Sequence, residues 1–158
     1  MTPQAGLKQA PPGADEEGFP SIVVPYRTHV TWGDCDPAGI IYYPTYFHWF
    51  DTATWNLFAS VGLTVMGMIM DGYKMPLVAS EIRFQEAAKP GDQCEVRSRI
   101  RRWGNKSFEV VHEVYRADDV LLAAGKETRV WVHQLGASSP LTPQRVPEEI
   151  RERFRARA

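Results

Sequence analysis

The sequence predicts an α+β domain in which a curved antiparallel sheet wraps around one long helix. Three observations carry this. An apolar face repeats at helical spacing from Phe47 to Val61, the stretches after residue 77 alternate with period two, and tight-turn signals separate those stretches. Hydrophobic residues make up 44% of the 158 and charged residues 23%, the balance of a globular core. The length suits one domain with some terminal excess.

Each element has a local reason. Residues 1–21, rich in Pro, Gly, Ala and acidic groups without apolar periodicity, read as a disordered N-terminal tail. The folded domain is expected over 22–136, with a C-terminal extension over 137–158. The β-branched and aromatic run from Tyr26 to Trp32 is a first strand stopped by Gly33. Pro44 suits the first helical position, where its missing N–H has no intrahelical partner, and Gly62 suits the position just past the helix end. Phe47, Phe50, Thr54, Leu57, Phe58 and Val61 form the helix's apolar face. Asp51 falls at the edge of that face, an unusual place for a carboxylate unless it reaches solvent.

A Met- and Gly-rich connection over Met66–Asp71 then gives way to the strands. Val78, Ser80, Ile82 and Phe84 alternate with polar or small residues. Beyond the Pro90-Gly91-Asp92 turn, Cys94, Val96, Ser98 and Ile100 do the same, and past Gly104-Asn105 so do Phe108, Val110, His112 and Val114. Asp118-Asp119 precedes a last run from Val120 to Val132. Such half-buried strands with short hairpins are antiparallel. After Leu135 the chain turns to Ser, Pro and charge, and Glu148 to Arg157 reads as a short basic helix or a frayed end.

Composition excludes several function classes. A formal charge of −1 provides no global attraction to nucleic acid or anionic lipid. No apolar run approaches the roughly 18–20 residues of a membrane span, and the N-terminus has no basic segment leading into an apolar core. Two cysteines, Cys35 and Cys94, make neither a disulfide framework nor a zinc set, so a cytoplasmic setting is expected. The four histidines show no metal-ligand spacing, and no metal or other cofactor is expected.

The most informative stretch is Trp32-Gly33-Asp34-Cys35-Asp36-Pro37-Ala38-Gly39-Ile40-Ile41-Tyr42-Tyr43-Pro44. It sets two carboxylates two residues apart in a Gly/Pro loop just ahead of the helix. A carboxylate near a helix N-terminus stays ionised and can attack a carbonyl or activate water, while the free N–H groups of that terminus can meet charge developing on oxygen. The competing reading is that Asp34 and Asp36 only satisfy loop amides. Cys35, between two carboxylates, is a poor nucleophile. Tyr42, Tyr43, Tyr46, Phe47 and Trp49 crowd the helix start and form either plain core or the wall of a pocket for a flat acyl group. Arg97, Arg99, Arg101, Arg102 and Lys106 concentrate cations on one strand and hairpin, either as a solvated outer face or as a phosphate site.

The string Gly33-Asp34-Cys35-Asp36-Pro37-Ala38-Gly39-Ile40, followed by Tyr43-Pro44 and Trp49-Phe50-Asp51, resembles the 4-hydroxybenzoyl-CoA thioesterase branch of the hot-dog-fold thioesterases. The likeness runs from about Tyr26 to Gln134. It implies a hot-dog fold and hydrolysis of an aromatic acyl-CoA, with Asp36 as catalytic aspartate and the Tyr43 backbone N–H as oxyanion donor. It also implies that Asp51 recognises a hydroxyl on the substrate ring, with Trp49 and Tyr46 beside it. Lys106 and Ser107 match the family's CoA-binding pair, with Arg102 nearby, although Gly104-Asn105 replace the arginines expected just before them. Family members are homodimers or homotetramers with active sites at subunit interfaces. Two other readings share the motif: a thioesterase for short aliphatic acyl-CoA or acyl-carrier-protein thioesters, and a non-catalytic acyl-CoA-binding module.

Overall fold

A computed structural model describes residues 21–157, so all but the last residue of the tail expected over 1–21 lies outside the described residues. Ser21 already belongs to the fold, its buried hydroxyl donating to Ile100 O at 2.8 Å. The chain runs β1 (Val24–His29), a 3-10 turn (Trp32–Asp34), α1 (Tyr43–Ser60), α2 (Val65–Met70), β2 (Tyr73–Lys74), β3 (Leu77–Phe84), β4 (Gln93–Trp103), β5 (Ser107–Arg116), β6 (Leu121–Val130), β7 (Val132–His133), β8 (Thr142–Pro143) and α3 (Glu148–Arg155). A five-stranded sheet has the order β1-β4-β5-β6-β3, antiparallel throughout. A second, three-stranded sheet has the order β2-β7-β8. The long α1 docks on the large sheet, the hot-dog arrangement expected from sequence.

Helix α1 begins at Tyr43, so Pro44 occupies the second helical position rather than the first. The reason for tolerating it is unchanged, because the first four N–H groups of a helix all lack intrahelical acceptors. Its far end closes as expected: Gly62 takes φ +85°, its N–H reaches Ala59 O at 3.0 Å, and Leu63 N–H reaches Phe58 O at 3.1 Å. This paired closure by a left-handed glycine satisfies two otherwise orphaned carbonyls.

The alternation of β4 holds through Cys94, Val96, Ser98 and Ile100, all buried. Between Ile100 and Arg102 the register against β5 shifts. The extra residue changes the phase, so Trp103 rather than Arg102 enters the core. In β5, Phe108, Val110, His112 and Val114 face inward as the spacing predicts.

Three expectations are corrected. Residues 66–71 are not a plain connection: α2 forms there, with the Thr64 side chain accepting from Gly67 N at 3.2 Å to cap it. The final strand divides at Trp131: its N–H still reaches Lys106 O at 2.8 Å, in register with the β5–β6 pairing, but from Val132 the chain pairs with β2 and β8 instead. The boundary at 136 divides a single core, because Val146, Ile150 and Phe154 pack with Phe58, Trp103 and Phe108. Arg151 Nη2 also donates to Gly104 O at 2.7 Å, and Val146 N to Asn105 O at 2.9 Å, so the C-terminal arm staples the β4–β5 hairpin.

One close approach sets the helix on the sheet. A Cβ placed on Gly125 of β6 would come within 2.5 Å of the Phe50 ring and 2.8 Å of Glu81 O. Only glycine lets α1 settle this deeply.

Candidate active site

Residues Asp36-Pro37-Ala38-Gly39 build a small hairpin by local rules. Gly39 N donates to Asp36 O at 2.9 Å, closing a β-turn with Pro37 at its second position. Gly39 has φ +75°, Asp36 N returns to Ile40 O at 3.0 Å, and Cys35 bridges Ile41, so a turn followed by a left-handed glycine bulge reverses the chain. Tyr42 N then bonds Asp34 O at 2.8 Å, and α1 starts one residue later. The base of the hairpin therefore adjoins the first turn of the helix.

The two carboxylates have different environments. Asp34 Oδ2 accepts from Thr31 N at 2.7 Å and from Thr31 Oγ1 at 2.6 Å, capping the 3-10 turn. Asp36 accepts one bond, from Ala38 N to Oδ1 at 2.8 Å, and is half-buried. Each carboxylate thus satisfies one loop amide through one oxygen, and Asp34 takes the Thr31 hydroxyl on that same oxygen as well. Burial first, then the charges of Asp34 and Asp36, push the Cys35 thiol up, which disfavours its thiolate.

The aromatic cluster divides. Tyr42 and Tyr43 are exposed and meet edge to face with centroids 5.1 Å apart, next to exposed Ile40 and to Trp32, which is 81% exposed. Tyr46 and Trp49 lie in the core with Phe50, Val96 and Leu122. Burial pushes the Tyr46 hydroxyl up to about 12. Neither Tyr46 nor Trp49 lines the cavity around Asp51.

That cavity, about 420 Å³, is lined by Asp51, Trp55, Ile69, Tyr73, Lys74, Met75, Pro76, Leu77, Arg129 and Leu141. Its polar groups converge at one end, where Arg129 Nη2 donates to Asp51 Oδ1 at 2.8 Å. A second cavity, about 430 Å³, borders the hairpin at Ile40 and is lined by Ala87, Ala88, Lys89, Asp92 and Arg116, with Arg116 engaged by both oxygens of Asp118 at 2.9 Å. Asp36 and Tyr43 line neither. Asp51 lies eight residues beyond Tyr43 in the helix, about 12 Å along the axis. One chain thus holds the hairpin and the Asp51 cavity apart.

Behind Asp51 runs a buried polar network that sequence reasoning missed. Glu127 Oε2 accepts from Arg129 Nε at 3.0 Å and Nη2 at 2.9 Å. Thr54 Oγ1 approaches it at 3.4 Å and His112 Nε2 at 3.5 Å. Ser98 Oγ meets His112 Nδ1 at 2.7 Å, and the His112 ring stacks on Phe50 with centroids 4.3 Å apart. Burial holds the His112 imidazole below its usual range, so it is neutral at neutral pH. Burial alone would raise the Glu127 carboxyl, but the His112 contact and the Arg129 charge outweigh it and hold it below the usual range. One signal was available in sequence: Glu127 and Arg129, at i and i+2 of a strand, share their face with Ala123, Gly125 and Trp131.

The basic run is largely neutralised on the outer face. Arg97 pairs with Glu95 at 2.8 Å and Asp119 at 3.1 Å, and Arg101 with Glu109 at 3.1 Å. Arg102 and Lys106 are exposed on this strand and hairpin, with Ser107 half-buried beside them. Among the described residues no group of His, Cys, Asp or Glu is placed to hold a metal ion. No helix among them is long and apolar enough to cross a membrane.

Comparison with known proteins follows the same lines. The profile of the thioesterase-like superfamily matches residues 30–154. A 4-hydroxybenzoyl-CoA thioesterase from Pseudomonas sp. (strain CBS-3) is 33% identical over 114 residues, spanning 66% of this chain and 79% of its own length. An aspartate-to-asparagine variant of 4-hydroxybenzoyl-CoA thioesterase, solved with 4-hydroxybenzoyl-CoA, superposes with TM-score 0.76 at 29% identity, covering 84% of this chain and 98% of its own. A gentisyl-coenzyme A thioesterase gives TM-score 0.73 at 28% identity, covering 83% and 99%.

Proposed function

The chain is a hot-dog-fold thioesterase and belongs to the thioesterase-like superfamily, and from that premise we propose that it hydrolyses an aromatic, 4-hydroxybenzoyl-CoA-like thioester to the free acid and CoA. The observation that carries this reading is the division of labour between two aspartates. Asp36 keeps one carboxylate oxygen uncommitted in the hairpin that leads into α1, and Asp51 sits at the polar end of a cavity walled by Trp55 and Tyr73.

In this reading Asp36 attacks the thioester carbonyl carbon, or directs a water at it. The Tyr43 N–H, at a helical position with no intrahelical acceptor, donates to the carbonyl oxygen as it becomes an oxyanion. The C–S bond breaks and CoA leaves as thiolate. With Asp36 as nucleophile, water then cleaves the acyl–aspartyl anhydride and regenerates the carboxylate. Asp51 accepts a hydrogen bond from a ring hydroxyl. Lys106, Ser107 and Arg102 hold CoA phosphates at the hairpin.

The reaction needs two copies of the chain, because the hairpin and the Asp51 cavity stand apart within one. A homodimer, or a homotetramer built from it, pairs Asp36 and Tyr43 of one subunit with Asp51 of the other. The surface supports this. Strand β3 ends the large sheet, with no strand paired to its outer side among the described residues, and exposes Leu77, Val78 and Phe84. Both cysteines are unpaired thiols, which fits a reducing, cytoplasmic setting. A panel of acyl-CoA substrates, with CoA release followed by a thiol reagent, tests the assignment: benzoyl and 4-hydroxybenzoyl thioesters should far outpace butyryl. Butyryl turning over fastest would replace the aromatic assignment with the short-chain one, and tight binding without turnover would leave a binding module.

A further inference from the structure

Asp51 is not an isolated carboxylate. Its Oδ1 is held by a guanidinium whose side chain is only 5% exposed, whereas its own side chain is 54% exposed at the cavity. An exposed ion pair ordinarily contributes little, and a buried cation ordinarily needs one buried counter-ion. Arg129 already has that counter-ion in Glu127, which it grips through Nε and Nη2. Folding therefore does not require Asp51 as a third partner.

We infer that Arg129 is a positioning residue that sets the substrate preference: anchored by Glu127, it clamps Asp51 Oδ1 and so presents Oδ2 to a hydroxyl on the substrate ring. This rests on the reading that Asp51 meets that hydroxyl. Arg129 has the donors for the task, since a guanidinium offers five N–H groups in a fixed fork. Nη1 meanwhile reaches Met75 O at 3.3 Å, and Met75, Pro76 and Leu77 form a wall of the same cavity. One side chain thus fixes both the acceptor and the wall opposite the ring. Behind it, Thr54 Oγ1 donates to Glu127 at 3.4 Å, the His112 ring packs at 3.5 Å, and Ser98 meets the far side of that ring, so Glu127 is enclosed on the side away from Arg129. Lysine, a point charge on a flexible stem, could not hold Glu127, Met75 O and Asp51 together.

The test measures kcat/KM of the full-length protein on 4-hydroxybenzoyl-CoA and on benzoyl-CoA for wild type, Asp51→Ala, Arg129→Lys and the two combined. Arg129→Lys should lower the hydroxybenzoyl-to-benzoyl ratio about tenfold, the scale of one hydrogen bond to a charged group. Asp51→Ala should lower it as much, and the combination should add nothing, as expected of residues acting as one unit. A wild-type ratio in Arg129→Lys, beside a collapsed ratio in Asp51→Ala, overturns the clamp and leaves the role of Asp51 standing. Equal losses on both substrates with the ratio preserved also overturn it, since they mark a merely structural residue. An unchanged ratio in Asp51→Ala rejects the role of Asp51 and the clamp with it. Should Arg129→Lys fail to fold, Glu127→Gln combined with Arg129→Gln removes the cation without leaving a lone buried charge. The same ratio then decides.

Discussion

The Asp36 hairpin and the Asp51–Arg129–Glu127 network present two carboxylates by opposite means. The hairpin does so within nine residues, Asp34 to Tyr42, using backbone bonds, one proline and one left-handed glycine. The network draws on α1, β4, β5 and β6 and on a carbonyl before β3, and depends on burial. A contiguous device tolerates change elsewhere in the fold. A distributed one ties the placement of Asp51 to the seating of the helix on the sheet.

The largest effect should come from the hairpin. Asp36→Ala should reduce kcat on the best acyl-CoA by about 10²–10⁴-fold, the usual contribution of a positioned acid–base group, while thermal unfolding shifts little. Steady-state CoA release on the purified variant provides the check, and a kcat within twofold of wild type would remove Asp36 from the chemistry. The network should respond in stability instead. Glu127→Ala strands the Arg129 charge in the core and should cost about 3–5 kcal/mol in urea unfolding. Gly125→Ala, pressed against Phe50 and Glu81 O, should cost about 1–3 kcal/mol by overpacking, visible as a lower denaturation midpoint with unchanged slope.

That contrast also marks what the sequence made legible. A Gly/Pro loop leading into a helix was readable because Pro37, Gly39 and Pro44 each specify their own backbone neighbourhood, whereas its closure into a hairpin was not read. The β4 and β5 cores were readable because period two runs unbroken from Cys94 to Ile100 and from Phe108 to Val114. The Trp103 phase change was not, because a bulge depends on pairing with a distant strand. Nor was the docking of Ile150 and Phe154, whose partners Phe58 and Trp103 lie about fifty to a hundred positions away. Glu127 and Arg129 were not singled out, because their burial depends on α1 and β5 packing over them. Asp51 was noticed as odd, but its partner 78 residues on was not.

Smaller effects sharpen the comparison. Asp34→Ala, two residues from Asp36, removes a cap rather than a reactive group, so it should cost about 0.5–2 kcal/mol of stability. A loss of kcat matching that of Asp36→Ala would merge the two roles. The network should also titrate. The folded-state His112 pKa lies below its unfolded value, so the unfolded chain takes up a proton first and stability falls as pH drops below about 6.5. Glu127, also lowered, adds a second loss as pH falls below its unfolded value near 4.5. Melting temperatures followed downward from neutral pH should show the first decline, and His112→Gln should flatten it.

The central claim is that one site takes Asp36 from one subunit and Asp51 from its partner, and mixed dimers test it most directly. Asp36→Ala and Asp51→Ala chains, each impaired on 4-hydroxybenzoyl-CoA, are denatured together in equal amounts and refolded. Random pairing in a twofold-symmetric dimer makes about a quarter of the sites fully wild type, so activity should rise to at least that fraction of wild type, well above the mean of the separately refolded parents. Activity equal to that mean would place both aspartates of a working site in the same chain and contradict the account.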